Sequence, residues 1–256
     1  MKTILITGST SGIGLGIARE FAKTKQYNIV FNGLETNGQE IADTIGKEFG
    51  IDVMFSNANM LKPEELRKMV SDAVAKFGKI DVLVNNAGIQ FVSPIEDFPE
   101  DKWDAIIGIN LTSAFHLTKA VWKGMKDRKF GRVINIASAH GLVASEFKSA
   151  YIASKHGIVG FTKTIALEGA PFGITANAIC PGYVKTPLVE KQIADQAKAH
   201  NMSETDVVSK VMLYKQAVKD FVSVEELGQL AVFLASDVAK TMTGTALPVD
   251  GGWNAQ

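Results

Sequence analysis

The sequence predicts an α/β fold, a parallel sheet covered by helices on both faces. Three observations lead there. Short apolar runs rich in β-branched residues alternate along the 256 residues with longer stretches of helical period. These runs are apolar throughout rather than at every second position, so each strand must be buried on both sides. The first run also passes straight into a glycine-rich turn that opens a helix, the start of a strand–helix–strand crossover.

In chain order, residues 3–6 form the first strand and 14–24 its helix; 28–31 with 39–49, and 52–55 with 63–77, repeat the pair. Strand 81–84 precedes the longest helical pattern, 100–126, and strand 132–136 precedes 150–170. Strand 175–179 leads, after an insert, to helix 225–236 and the last strand, 246–249. The insert, 186–216, breaks the alternation: it is polar and rich in Lys, Gln and Ala. It has helical composition but little core pattern, which suits a small helical lid over a site. No tandem repeat, low-complexity tract or Pro/Ser-rich linker divides the chain, so residues 1–256 read as a single domain.

Composition excludes several classes. Lys+Arg and Asp+Glu number 27 each, so no charge excess points to nucleic acid or an anionic membrane. The lone cysteine, Cys180, excludes an internal disulfide, fits a reducing compartment and reads as a buried small hydrophobe. The run Ile4-Leu5-Ile6 is too short for a signal peptide or a membrane span, and a soluble, cytoplasmic protein is expected. Neither His116 nor His200 has a Cys, Asp or His at ligand spacing, so no metal is expected. His156 points off the face that carries its neighbour Lys155.

Two patterns carry chemistry. Thr7-Gly8-Ser9-Thr10-Ser11-Gly12-Ile13-Gly14 follows the first strand and opens a helix. Glycines there let the backbone approach a pyrophosphate, and the helix N-terminus presents free N–H groups and partial positive charge. The spacing is G-x-x-x-G-x-G rather than the commoner G-x-G-x-x-G. Tyr151 and Lys155 stand four apart, so in a helix they share a face. A phenol beside a fixed cation is suited to exchanging a proton with an alcohol or carbonyl. Ser138 ends an apolar strand-like run upstream.

With Asn85-Asn86-Ala87-Gly88 after the fourth strand, Asn110, and Pro181-Gly182, these motifs occur in an order that resembles the short-chain dehydrogenase/reductase family over essentially the whole chain. The resemblance implies a three-layer, doubly wound, Rossmann-type sheet of seven parallel strands, a nicotinamide cofactor, and a homotetramer joined partly through two long central helices. It implies that Tyr151 exchanges the proton, that Lys155 holds the ribose hydroxyls and, with the cationic nicotinamide ring, lowers the tyrosine pKa, that Ser138 binds the substrate oxygen, and that Asn110 anchors a relay water. The implied cofactor contacts are Gly8, Thr10, Ser11, Gly12, Ile13 and Gly14 in the turn, then Leu34, Asn59 and Met60. Asn86, Ala87, Gly88, Tyr151, Lys155, Pro181, Gly182, Val184 and Thr186 complete that set. Asn59 stands where the family usually has Asp, and an amide oxygen can accept the same bond more weakly.

Cofactor choice follows from charge. An NADP site needs Arg or Lys near the 2′-phosphate. Neither Ser9-Thr10-Ser11 nor Asn32-Gly33-Leu34-Glu35-Thr36 contains one, and Glu35 would repel a phosphate, so NAD is expected. For the substrate, Gln90, His140, Lys148 and Gln192 join Ser138 and Tyr151 in a set that resembles the branch of the family acting on D-3-hydroxybutyrate. Tyr183 stands where that branch usually has Trp. One cation with neutral donors can hold a small carboxylate. The expectation is therefore reversible, NAD-dependent oxidation of (R)-3-hydroxybutyrate, a small hydroxy acid, to its keto acid acetoacetate. Reduction of another small 3-oxo compound or a sugar is the near alternative, and a dinucleotide sensor without turnover the distant one. Asp250-Gly251-Gly252-Trp253 is expected only to close the last strand at a subunit contact.

Overall fold

The computed structural model describes residues 1–186, 189–190, 193–194, 197 and 201–255. Its strands are β1 (Lys2–Ile6), β2 (Tyr27–Asn32), β3 (Val53–Ser56), β4 (Val82–Asn85), β5 (Gly131–Ile136), β6 (Ile174–Pro181) and β7 (Ala246–Val249). They form one sheet, parallel throughout, in the order β3-β2-β1-β4-β5-β6-β7. The order reverses between β1 and β4, and at such a switch point the crossovers leave a crevice at the carboxyl ends of the strands.

The helices are α1 (Gly12–Thr24), α2 (Gly38–Phe49), α3 (Pro63–Phe77), α4 (Glu100–Ile107), α5 (Ser113–Arg128), α6 (Ser149–Gly169), α7 (Glu204–Val207) and α8 (Val224–Ala235). Local signals set their ends. Pro63 opens α3 and Gly78, at φ 80°, closes it; Ser223 and Glu226 form a reciprocal cap at the start of α8.

The continuous apolar runs have a direct reason. Ile4 and Ile6 of β1 face the layer of α1, α2 and α8, whereas Leu5 faces α3, α5 and α6. All three are fully buried, each contributing about 1.5–3 kcal/mol of transfer free energy. Among the described residues no helix is long and apolar enough to cross a membrane.

Two expectations needed correction. Stretch 100–126 is not one helix: α4 and α5 are joined by a wider π-helical turn, Gly108–Thr112, in which the Ser113 N–H reaches the Gly108 carbonyl. Asn110 in that turn is bonded to Ile89 and Ser154, outside its own helix. Hydrophobic period carries no mark of such a turn, because a contact distant in sequence holds it.

The insert also has a core. Ala197, Val207, Met212 and Leu213 are buried together, with Tyr183 and Phe221 packed against them. These residues are spread over α7, a second π-helical turn (Val208–Met212) and the flanking segments, so no helical period shows in the sequence. The insert's root is clamped to the end of β6. Val222 N–H donates to Tyr183 O (2.9 Å), Lys185 N–H to Val222 O (2.8 Å), and Gln216 Oε1 accepts from Tyr183 N–H (3.3 Å).

Candidate active site

The crevice at the switch point is sewn together by Thr7 and Asn86. The Thr7 hydroxyl accepts the N–H groups of Asn86 (2.9 Å) and Ala87 (3.0 Å), and Asn86 Nδ2 donates to the carbonyls of Thr7 (2.8 Å) and Gly8 (3.0 Å). Gly8 lies in left-handed conformation at φ 58°. A Cβ on Gly14 would sit 2.1 Å from the Gly8 carbonyl oxygen, so only glycine lets α1 start this close to β1.

At the start of α1, Ser11 occupies the capping position but makes no capping bond, and no acidic side chain lies in the first turn. Its hydroxyl turns instead to Glu35 Oε1 (3.3 Å), and Thr10 donates to Glu35 Oε2. The first-turn N–H groups therefore keep their partial positive charge for an anion. Burial works against the Glu35 charge, yet these hydrogen bonds, that from Thr10 foremost, hold its carboxyl below the usual range.

A cavity of about 790 Å³ follows. Of the expected cofactor contacts, Gly8, Ser11, Gly12, Ile13, Leu34, Asn59, Met60, Asn86, Ala87, Gly88 and Thr186 line it. Thr10, buried against Glu35, and Gly14 stand behind the wall. Asn59 Oδ1 already accepts from Leu61 N–H (2.9 Å) and keeps a second lone pair for an adenine amino group. Glycines at the closest approach, an uncapped helix start and a fixed carboxylate at the ribose end fit a nicotinamide dinucleotide.

A second cavity, about 590 Å³, is continuous with the first through Ile13, Asn86, Gly88, Ile89 and Thr186. Tyr151 and Lys155 of α6 face it together with Ser138, just past β5, as do Pro181, Gly182 and Val184 at and beyond the end of β6. The Ser138 hydroxyl, beside the Tyr151 phenol, accepts the backbone N–H of His140 (3.1 Å). Lys155 Nζ lies 5.6 Å from the centre of the Tyr151 ring and donates to the Ile136 carbonyl (2.7 Å). Asn110 is buried and lines neither cavity; its amide accepts Ile89 N–H (2.8 Å) and donates to Ile89 O (2.9 Å) and Ser154 Oγ (3.1 Å).

In the protein's own field burial pushes the Tyr151 phenol up, and the Ser138 hydroxyl beside it works in the opposite direction. Burial likewise pushes Lys155 down to about 8. A dry site penalises both charged forms, and the ammonium is engaged by Ile136, so the phenolate needs a further cation.

Gln90, His140, Lys148 and Tyr183 also line this cavity. Gln192 lies outside the described residues. Burial pushes Lys148 down, with Lys215 adding to the effect. Burial, then Lys148 and Lys215, hold His140 at about 4, a neutral imidazole.

Sequence reasoning missed Trp253. Gly251 and Gly252, at φ 61° and 83°, turn the chain back after β7, and the indole lands on the cavity wall. It stacks on Tyr183 (centroids 6.2 Å, planes 8° apart) and meets His140 edge-on at 5.0 Å. Asp250 does close the strand end, accepting the N–H groups of Gly252 and Asn254 (both 3.0 Å). The one available signal was an aromatic residue directly after two glycines that must reverse the chain.

A family model described as short chain dehydrogenase matches residues 2–197. The chain is 52% identical to D-beta-hydroxybutyrate dehydrogenase of Rhizobium meliloti, across 100% of this chain and 99% of the relative. It is also 52% identical to D-beta-hydroxybutyrate dehydrogenase of Cupriavidus necator, across 100% and 98%. The crystal structure of an actinorhodin polyketide ketoreductase variant with NADPH superposes with a TM-score of 0.91 at 32% identity, covering 100% of this chain and 98% of that one.

Proposed function

The chain belongs to the short-chain dehydrogenase family, and on that premise we propose that it is an NAD-dependent enzyme that reversibly oxidises (R)-3-hydroxybutyrate to acetoacetate. One observation carries the reading: a proton-transfer pair, Ser138 and Tyr151, and a carboxylate grip, His140 and Lys148, line a single small cavity. Their closeness suits a four-carbon hydroxy acid, whose carbinol and carboxylate carbons are two bonds apart. The 52% identity to two D-beta-hydroxybutyrate dehydrogenases supports the same substrate.

When bound, the nicotinamide ring supplies the hydride acceptor and a positive charge beside the phenol. The turn at Gly8–Gly14 and the α1 start hold the pyrophosphate, and Lys155 holds the ribose hydroxyls. Ser138 binds the alcohol oxygen and Tyr151 takes its proton. Asn110 fixes the Ile89 carbonyl at the head of a proton path leading outward from Lys155. Lys148 supplies the cation for the carboxylate, with neutral His140, Gln90 and Gln192 as donors. Tyr183 and Trp253 close the apolar side. NAD over NADP is supported by Glu35, a carboxylate fixed by Thr10 and Ser11 where a 2′-phosphate would need a cation. The whole of 1–256 acts as one cytoplasmic catalytic domain with 186–216 as lid. A homotetramer is supported by Phe115, Trp122 and Phe161, which line one groove on α5 and α6, and by the largely exposed Leu167 on α6.

A substrate panel read at the absorbance of the reduced cofactor tests the reading. Turnover with NAD and 3-hydroxybutyrate at the highest kcat/KM is expected. Preference for NADP with 3-oxoacyl thioesters would overturn it.

A further inference from the structure

His140 carries the inference. Its backbone N–H is tied to Ser138 Oγ (3.1 Å), and its ring is wedged between Tyr151 (centroids 6.1 Å apart) and Trp253 (5.0 Å). Nε2 lies 2.8 Å from the hydroxyl of Ser145. The residue lines the cavity and is only 6% exposed, so the ring has no room to turn toward solvent. At neutral pH it is uncharged, its pKa held at about 4 by burial and then by Lys148 and Lys215.

A neutral imidazole has one N–H and one bare nitrogen, and a carboxylate only accepts hydrogen bonds. If Nε2 carried the proton and donated to Ser145, Nδ1 would present a lone pair to the cavity and repel the carboxylate. A serine hydroxyl can donate equally well, and among the described residues Ser145 Oγ has no other hydrogen bond.

We propose that Ser145 is a positioning residue: its hydroxyl donates to Nε2 of His140 and holds the proton on Nδ1, where the imidazole meets the substrate carboxylate. Ser145 acts through His140 and touches neither substrate nor cofactor. The loop that carries it, between β5 and α6, also delivers Lys148 and is fastened by Ser93 N–H to Phe147 O (2.9 Å). Cation and neutral donor thus reach the carboxylate on one piece of backbone. The proposal rests on the reading that this cavity takes a small carboxylate.

The test uses the full chain labelled with ¹⁵N-histidine, the His140 signals assigned by their loss in His140→Gln. Without substrate at pH 7, a protonated Nδ1 is expected in the wild type, and a shift toward protonated Nε2 in Ser145→Ala. The same variant should raise KM for 3-hydroxybutyrate about tenfold, the weight of one oriented hydrogen bond. kcat and NAD affinity should stay within about twofold, and Ser145→Thr should restore both signals and KM. A wild-type proton on Nε2, or an unchanged tautomer and KM in Ser145→Ala, overturns the proposal. Wild-type protein inactive on 3-hydroxybutyrate would instead overturn the substrate reading, while the substrate-free spectra still decide the role of Ser145.

Discussion

The two cavities are built by different means. The dinucleotide side is made of backbone: the turn at Gly8–Gly14, the uncapped start of α1 and the Asn86–Gly88 turn, all at the ends of adjacent strands. The substrate side is made of side chains brought from β4–α4, β5–α6, the end of β6 and the turn after β7. Backbone sites tolerate changes in side-chain chemistry but not in volume. Side-chain sites behave the other way round, so one part of a fold can persist while the other is re-specified.

Tyr151 is the proton-transfer group of the side-chain-built cavity, so its removal should give the largest effect. Tyr151→Phe is expected to lower kcat about 10³-fold, within the usual range for a general acid–base group, with NAD affinity unchanged by fluorescence titration. Wild-type turnover in that variant would remove Tyr151 from the chemistry.

Next in size is a paired glycine test on the backbone-built side. The Gly14→Ala methyl would meet the Gly8 carbonyl at 2.1 Å, whereas at Gly12 the nearest atom outside its own neighbourhood is a Thr186 methyl at 3.8 Å. Gly14→Ala should cost about 3 kcal/mol of stability and abolish NAD binding. Gly12→Ala meets only the strain of its φ of 52°, about 1 kcal/mol. Equal denaturant midpoints for the two would contradict a backbone-limited site.

On the side-chain-built wall, Lys148→Ala should raise KM for 3-hydroxybutyrate about 10- to 100-fold, as expected for a hydrogen bond to a charged group, and leave NAD affinity alone. An unaltered KM would take Lys148 out of the site.

The most gradual effect is a pH dependence. The folded His140 pKa, about 4, lies below its ordinary 6.5, so between these values the unfolded chain binds more protons. Stability from the neutral ring is complete above about pH 6.5 and is lost as the pH falls toward 4. The melting temperature of wild type should therefore fall more steeply over that window than that of His140→Asn; parallel curves would count against a buried neutral imidazole.

Much of this was legible in the sequence, for identifiable reasons. Strands buried on both faces leave unbroken apolar runs, so β1 to β7 were recognisable, with ends off by a residue or two. The glycine turn and the Tyr151/Lys155 spacing are local, and local geometry is written in neighbouring residues. The π-helical turn at Asn110 was not legible, because its cause is Ile89 across the fold. The core of the insert was hidden because Tyr183 and Phe221, outside 186–216, help to form it. Trp253 was overlooked because its partners, Tyr183 and His140, come from other strand ends.

The amino-acid order alone therefore determined the layered architecture and the inventory of reactive groups, since both depend on periodicity and spacing within one element. Tertiary structure decided which polar groups share a cavity, which are charged there, and which aromatic rings wall it. Those properties depend on burial and on contacts between segments far apart in the chain, and no local pattern encodes them. The lysine expected to activate Tyr151 shows the division: its place on the helix face is sequence, but its depressed pKa and its bond to Ile136 are consequences of the fold.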